Sequence, residues 1–356
     1  MIVKPAAELH QLVKQILLAA GADDRNAEVV ARHLVLANLS GVDSHGIWHV
    51  PGYVAAIRAG LILPTGWPEV LQETPTSALI SGNWTFGHVA AEFATQQAIS
   101  KAAQAGVAVV GLVQDNHLGR LGHFVEMAIA RQMIAFAALG SETPGSAAPY
   151  GGRERRLHTN PIAMGFPAGD EPPMMFDFAT TAAAGVKIVN AYRRHEALPP
   201  GYIIDKDGRP STDPADFMNG GAHLPFGGHK GYALMLAADV LGRLFTAAPV
   251  YSEAASSHTV TAVDGRVTTR NSPGLTLIVM KADLFQPYAD YARRADDLER
   301  RIRAVQPAPG FTEVLVPGDP ESRARAVRQR DGIPIADDVW ETLVKVAQSV
   351  GLSAEA

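Results

Sequence analysis

Val107-Ala-Val-Val-Gly-Leu-Val113, Gln114-Asp-Asn-His-Leu-Gly119, an apolar helical stretch from about 121 to 131, and Ile134-Ala-Phe-Ala-Ala-Leu139 follow one another without interruption. The first and last are short, apolar and bounded by turn residues, which reads as buried strand. Strand, loop, helix, strand is the rhythm of a mixed α/β core. It continues outward through predicted strands at Ile162–Phe166, Met174–Phe178 and Leu275–Met280, with a Gly/Pro/Ser loop at 140–152. Segment 179–194 could be helix. Segment 199–230 is irregular and holds Pro199, Pro200, Pro210, Pro214 and Pro225, whereas Gly231–Phe245 is a strongly helical apolar run.

Both ends of the chain are helical instead. Leu9, Leu12, Val13, Ile16 and Leu17 share one helical stripe, and Gly21 stops it. Asp23 or Asp24 can cap a second helix to about Leu39. A turn at Gly41–Gly52 precedes a short helix near Tyr53–Ala59. Pro64 to Pro75 reads as loop or edge, and His88–Ala105 as helix. Helices are again expected at about 283–305, 319–330 and 337–350. The expected fold class is α/β: a core with a mixed sheet flanked by helices over 107–282, and a mainly helical second domain built from 1–106 and 283–356.

The 356 residues are 47% apolar and 19% charged, enough to bury a sizeable core. No cysteine is present, which excludes disulfides, a thiolate nucleophile and cysteine-held metal clusters. The net charge of -5 and the lack of a basic face argue against nucleic acid. The arginines of Arg293–Arg303 and Arg323–Arg330 are interleaved at helical spacing and read as solvated faces. The N-terminus lacks the apolar run of a signal peptide, and no stretch reads as a membrane span. A soluble cytoplasmic protein is the expectation.

An α/β chain of this size suggests a nucleotide site, yet no G-x-G occurs anywhere, so the Rossmann fingerprint is absent. Gly227-Gly-His-Lys-Gly231 lacks the earlier glycine and the Ser/Thr of a phosphate-binding P-loop. Five polar clusters lie between apolar elements, where binding groups collect. They are Asp43-Ser-His-Gly46, Asn116-His-Leu-Gly-Arg120, Thr159-Asn-Pro161, Phe176-Asp-Phe-Ala-Thr180 and Pro225-Phe-Gly-Gly-His-Lys-Gly231. Singly, each is turn or cap chemistry. His229 and Lys230 at a helix start oppose the helix dipole and so invite an anion.

In order and together, these clusters, with Gly332-Ile-Pro334, resemble the malate/L-lactate dehydrogenase family of the second, non-Rossmann type, the NAD(P)H-dependent 2-hydroxyacid dehydrogenase/ketoimine reductase superfamily. The resemblance runs from about Leu9 to Gly351 and is nearest to the 2-hydroxycarboxylate dehydrogenases. It implies a cofactor domain with a largely antiparallel sheet, a homodimer, and hydride transfer between NADH or NADPH and a small 2-oxo acid. His45 would be the proton donor and acceptor, with Ser44 beside it. His49, His117, Arg120 and Lys187 would meet the substrate. The cofactor would be surrounded by His117, Gly119, Arg120, Leu121, Thr159, Pro161, Phe176, Asp177, Phe178, Ala179, His229, Lys230, Gly231, Asn271, Arg325 and Arg328; no metal is implied.

The residues support this chemistry. Hydride addition to a ketone leaves an alkoxide that needs a proton, and histidine titrates in the right range. Two positions depart from the family pattern. His49 stands where an arginine is usual, and a neutral imidazole lacks the bidentate fork for a carboxylate. Lys187 stands where the imine-reducing branch has an aspartate, which sets a cation against a cationic substrate. Three readings compete with an oxo-acid dehydrogenase: a cyclic imino acid reductase, a metal-dependent lyase or hydrolase using His45 and His49, and a non-catalytic binding protein. A metal assay and NADH titration by fluorescence separate them.

Overall fold

The run from Val107 to Gly140 folds as strand, loop, helix and strand in a computed structural model that describes residues 1–141, 145–254, 258–262 and 265–353. Residues 142–144 of the expected 140–152 loop lie outside the described residues. The strands of the main sheet are β1 (Glu69–Glu73), β2 (Ser77–Ser81), β3 (Val107–Val113), β4 (Met133–Gly140), β5 (Ile162–Phe166), β6 (Met174–Phe178) and β7 (Gly274–Lys281). Their order is β1-β2-β3-β7-β4-β5-β6. The β2–β3 pairing is parallel and the other five are antiparallel, as a largely antiparallel sheet requires.

The helices are α1 (Ala6–Ala19), α2 (Asp24–Leu39), α3 (Val50–Arg58), α4 (Gly87–Ala105), α5 (Gly122–Ile129), α6 (Gly185–Arg194), α7 (Pro214–Met218), α8 (His229–Asp239), α9 (Ala248–Ala254), α10 (Tyr288–Arg303), α11 (Asp319–Asp331) and α12 (Asp337–Ser349). The helical unit joins both chain ends. Leu9, Val13, Ile16 and Leu17 of α1 pack with Val30 and Leu34 of α2, Val54 of α3 and Leu343 and Val344 of α12. Burying each such side chain contributes about 1.5–3 kcal/mol. A two-stranded antiparallel pair, Ile2–Lys4 with Ile333–Ile335, ties the termini; short and Pro-interrupted, it left no strand signal in the sequence.

On one sheet face, α4 offers a stripe of Ala90, Ala91, Ala94, Ala98 and Ala102 to Val110 and Leu112 of β3, with Phe124 and Val125 of α5 alongside. On the other lies the helical run 229–254, which passes through a π turn at Val240–Leu244. It sits so close that a Cβ on Gly242 would meet Gly140 N at 2.0 Å and Gly274 O at 2.4 Å. Glycine at this crossing is a packing requirement. Among the described residues this run alone is long and apolar enough to cross a membrane, and 33% of its most apolar window is buried.

Two segments pack differently from the expected grouping. Residues 69–105, placed with the helical ends, supply β1, β2 and the sheet-covering α4. Helix α10, placed there too, docks on the β5–β6 connection: Asp296 accepts from Gly169 N (2.8 Å) and Asp170 N (2.9 Å), and Tyr288 donates to Ala168 O (2.9 Å). Segment 199–230 holds α7 and three very short strands.

His33 of α2 and His88 of α4 are fully buried, with ring centroids 4.5 Å apart. Burial first, and neighbouring imidazoles second, hold both well below the usual 6.5. They are neutral when folded, so the unfolded chain binds more protons below that value. Stability should therefore fall as pH drops below 6.5, by about 1.4 kcal/mol per pH unit for each ring. Calorimetry between pH 7.5 and 5.5 checks this; a melting temperature constant across that range contradicts it.

Candidate active site

Asp43-Ser-His-Gly46 forms a tight 3-10 turn after α2. Asn38, at the end of α2, pins it. Its Nδ2 donates to Asp43 (2.7 Å) and its Oδ1 accepts from Ile47 N (2.9 Å). A Cβ at Gly46 would lie 2.0 Å from that Oδ1. Arg328 of α11 clamps Asp43 from outside at 2.6 and 3.0 Å. The turn therefore presents Ser44 and His45 inward, with Ser44 Oγ 2.9 Å from His45 Nδ1.

The loop leaving β3 supplies the facing wall. Asn116 Nδ2 donates to the carbonyls of Trp84 (3.0 Å) and Thr85 (2.9 Å). Gly119 takes φ +72° and passes so close to His33 and His88 that a Cβ would stand 2.5 and 2.6 Å from their Nε2 atoms. Arg120 N donates to His33 Nε2 (2.9 Å), and Gly122 N donates to Asp177 (2.7 Å). His117 thereby faces the Asp43–Gly46 turn, its ring centroid 6.1 Å from His45 and 4.5 Å from His49.

These elements enclose a cavity of about 370 Å³, within the usual size of small-molecule sites. Ser44, His45, His49, His117, Gly119, Arg120, Leu121, Thr159, Pro161, Asp177, Phe178 and Ala179 all line it, so twelve of the expected site residues converge. The remaining lining was not expected: Val42, Trp48, Ala184, Gly185, Val186, Val189 and Glu321. Only the apolar spacing of Val186 and Val189 on α6 could have signalled part of it.

Burial, reinforced by His49 and Arg120, pushes His45 down to about 4. His117 has an accessible face yet lies deep in the wall; burial, then His49 and His45, lower it too. For His49, burial outweighs the hydrogen bond between its Nε2 and Ser44 O (2.9 Å). All three imidazoles are neutral at pH 7. Burial raises Asp177 against the opposing pull of Arg120.

The expected substrate cations are engaged or turned away. Arg120 is buried, and its fork is taken by Glu126 at 2.9 and 3.2 Å. Burial favours a neutral Glu126, but Arg120 and Arg325 outweigh it and hold the carboxylate charged. His49 is tied to the Ser44 carbonyl, so it does not replace an arginine. Lys187 is exposed and outside the cavity. Helix α6 begins at Gly185, so Gly185, Val186 and Val189 share the inward face and Lys187 falls on the opposite one.

Several expected cofactor residues also lie outside this cavity. Phe176 is not part of its lining and sits edge-on to Phe166, the ring centroids 5.8 Å apart. Asn271 is exposed. Arg325 is held by Ser40 (2.8 Å) and Glu126, and Arg328 by Asp43, so both serve the framework. His229 and Lys230 are exposed at the start of α8, and Gly231 is buried there, its Cβ position 1.7 Å from Phe226 O.

The cavity walls suit a nicotinamide ring: apolar faces from Leu121, Pro161, Phe178, Val186 and Val189, with polar edges at Thr159 and Asp177. Among the described residues no group of three or more His, Asp or Glu side chains could hold a metal ion.

A family model described as malate/L-lactate dehydrogenase matches residues 5–344. L-sulfolactate dehydrogenase of Methanocaldococcus jannaschii is 34% identical over 357 residues, covering 100% of this chain and 99% of that protein. Hydroxycarboxylate dehydrogenase B of Escherichia coli strain K12 is 31% identical, covering 98% and 95%. The crystal structure of delta1-piperideine-2-carboxylate reductase from Pseudomonas syringae pvar. tomato superposes with a TM-score of 0.83 at 29% identity, covering 98% of this chain and 100% of that one.

Two outcomes test this geometry. Gly119→Ala, which adds a Cβ at positive φ against two buried rings, should destabilise the fold by roughly 2 kcal/mol or more; an unchanged denaturation midpoint contradicts the packing. Lys187→Ala should leave steady-state turnover within about twofold, since exposed substitutions away from a site are near neutral; a tenfold loss returns Lys187 to the site.

Proposed function

The chain belongs to the malate/L-lactate dehydrogenase family, and from that membership we propose how its cavity works. It is an oxidoreductase acting on the CH–OH group of 2-hydroxy acids and, in reverse, on small 2-oxo acids. The cofactor is a nicotinamide dinucleotide; NAD is our reading, with NADP possible. When bound, that cofactor supplies or accepts the hydride.

The observation that carries the proposal is the Ser44–His45 contact inside the histidine-lined cavity. With Ser44 O–H donating to Nδ1, His45 keeps Nε2 for the substrate oxygen. Neutral His45 accepts the hydroxyl proton during oxidation, and protonated His45 returns it during reduction. The apolar walls exclude water, and Arg120–Glu126 holds the loop that carries His117. His229 and Lys230 are proposed to meet the cofactor phosphates at the N-terminus of α8. Leu234, Leu236, Val240, Leu244, Phe245 and Val250 form an exposed apolar face along the 229–254 run, which supports a homodimer covered there. A cytoplasmic location completes the reading.

A second reading, cyclic imino acid reduction, is favoured by Glu321 in the cavity lining, a carboxylate suited to a cationic imine. The charge argument that set Lys187 against an imine has no footing once that side chain is in solvent.

His45→Gln should lower kcat about 10²-fold or more while leaving NAD(P)H binding intact. Because the acid form of His45 is scarce above pH 4, kcat/KM for oxo-acid reduction should rise about tenfold per unit as pH falls from 7.5 to 5.5. Oxidation, which uses the neutral form, should stay flat over that range. Near wild-type turnover in His45→Gln, or a reduction rate independent of pH, contradicts the assignment.

A further inference from the structure

Behind the cavity wall, Tyr53 of α3 stands between two imidazoles. Its hydroxyl is 2.7 Å from His117 Nδ1 and 3.3 Å from His88 Nε2. Tyr53 and His88 are 5% and 1% exposed, so the phenol and the His88 ring are shielded from bulk water, while His117 keeps an accessible face. Burial holds the phenol protonated throughout the accessible pH range. The same hydroxyl therefore carries one proton between two ring nitrogens. It donates to one and accepts from the other.

Two arrangements satisfy that rule. In the first, Tyr53 donates to His117 Nδ1, and His88 donates its Nε2–H to the phenol oxygen. In the second, His117 donates from Nδ1 and Tyr53 donates to His88 Nε2. Neutral His88 would then carry its proton on Nδ1, which is buried with no partner. Orphaned buried N–H groups are rarer and more costly than bare acceptors. His33, its ring centroid 4.5 Å from that of His88, already carries one such orphan: its Nε2 accepts from Arg120 N, which leaves the ring proton on an unpartnered Nδ1. A second orphan on His88 would add to that cost. The spacing agrees, since a short contact suits O–H donation to nitrogen and a longer one suits N–H donation to oxygen.

We infer that Tyr53 and His88 are positioning residues that lock His117 in its neutral Nε2–H tautomer, with that N–H available to the cavity as a hydrogen-bond donor. Nδ1 is committed to Tyr53, and Nε2 has no hydrogen-bond partner among the described residues. A fixed neutral donor facing His45 stabilises the oxygen on which charge develops during hydride transfer, with no reorganisation at that moment. The gain depends on the dehydrogenase reading above, but the tautomer does not.

The test has two arms. The free protein, labelled with ¹⁵N in histidine, is examined by long-range ¹H–¹⁵N correlation, and the His117 signals are identified by their absence from His117→Gln. The expected pattern is protonated Nε2 with Nδ1 as a hydrogen-bonded acceptor; a protonated Nδ1 overturns the proposal whether or not the enzyme turns over. Tyr53→Phe keeps the ring that packs on Phe86 and His49. It should lower kcat for oxo-acid reduction by about 10- to 100-fold while KM for the cofactor changes less than about threefold. A kcat within twofold of wild type overturns the positioning role, and a uniform loss of both parameters with a lowered melting temperature does so as well.

Discussion

Everything at the cavity depends on the seating of the Gly119 turn against His33 and His88. The turn leaves the central sheet at β3, crosses to the helical unit, and returns as α5. At the crossing it lies so close to two buried rings that only glycine fits. One hydrogen bond, from Arg120 N to His33 Nε2, fixes the register. From that anchor Arg120 reaches Glu126, Gly122 N reaches Asp177, and His117 is aimed across the cavity at the Asp43–Gly46 turn. The histidines that seat the loop are inert in the chemical sense: buried, neutral, and held so by their surroundings.

A cavity built this way turns no unengaged cation inward from its lining residues, while Asp177 and Glu321 bring carboxyl groups to its wall. Its three lining imidazoles are uncharged at neutral pH, its arginine is spent on Glu126, and Lys187 lies outside it in solvent. The site therefore relies on oriented hydrogen bonds and apolar walls more than on fixed cations. Such a site orients a polar group through neutral donors, and the substrate acid group must find its partner without the arginine fork usual in the family.

Much of this was legible in the sequence. The strands at 107–113, 162–166 and 174–178 show as short apolar runs, and the polar clusters at their ends mark the cavity because loops gather where strands finish. Asp43-Ser-His-Gly46 and Asn116–Arg120 converge as their order suggested. What escaped has physical causes. The strand at 69–73 is an exposed sheet edge that reads only as loop or edge, and the one at 77–81, though buried against β3, spans five residues with a serine at each end, too little to show as a strand. Tyr53, His33 and His88 act through partners 35 to 87 residues away, which no local pattern encodes. Lys187 was placed with the substrate by the resemblance alone, at the position of the imine branch's aspartate; on α6 the 3.6-residue period that turns Val186 and Val189 inward turns that lysine outward. Arg325 and Arg328 looked like anion receptors, but an arginine's charge does not say which carboxylate it will meet, and here Glu126 and Asp43 are nearer.

The central claim is that the cavity transfers hydride between a nicotinamide cofactor and C2 of a 2-oxo or 2-hydroxy acid. Reduction of a 2-oxo acid panel with NADH and NADPH deuterated at nicotinamide C4, the products analysed by mass spectrometry and NMR, tests it directly. The account predicts a 2-hydroxy acid carrying one deuterium at C2 per cofactor oxidised. Deuterium absent from every oxo acid, but delivered to the ring carbon of a cyclic imino acid, would contradict it.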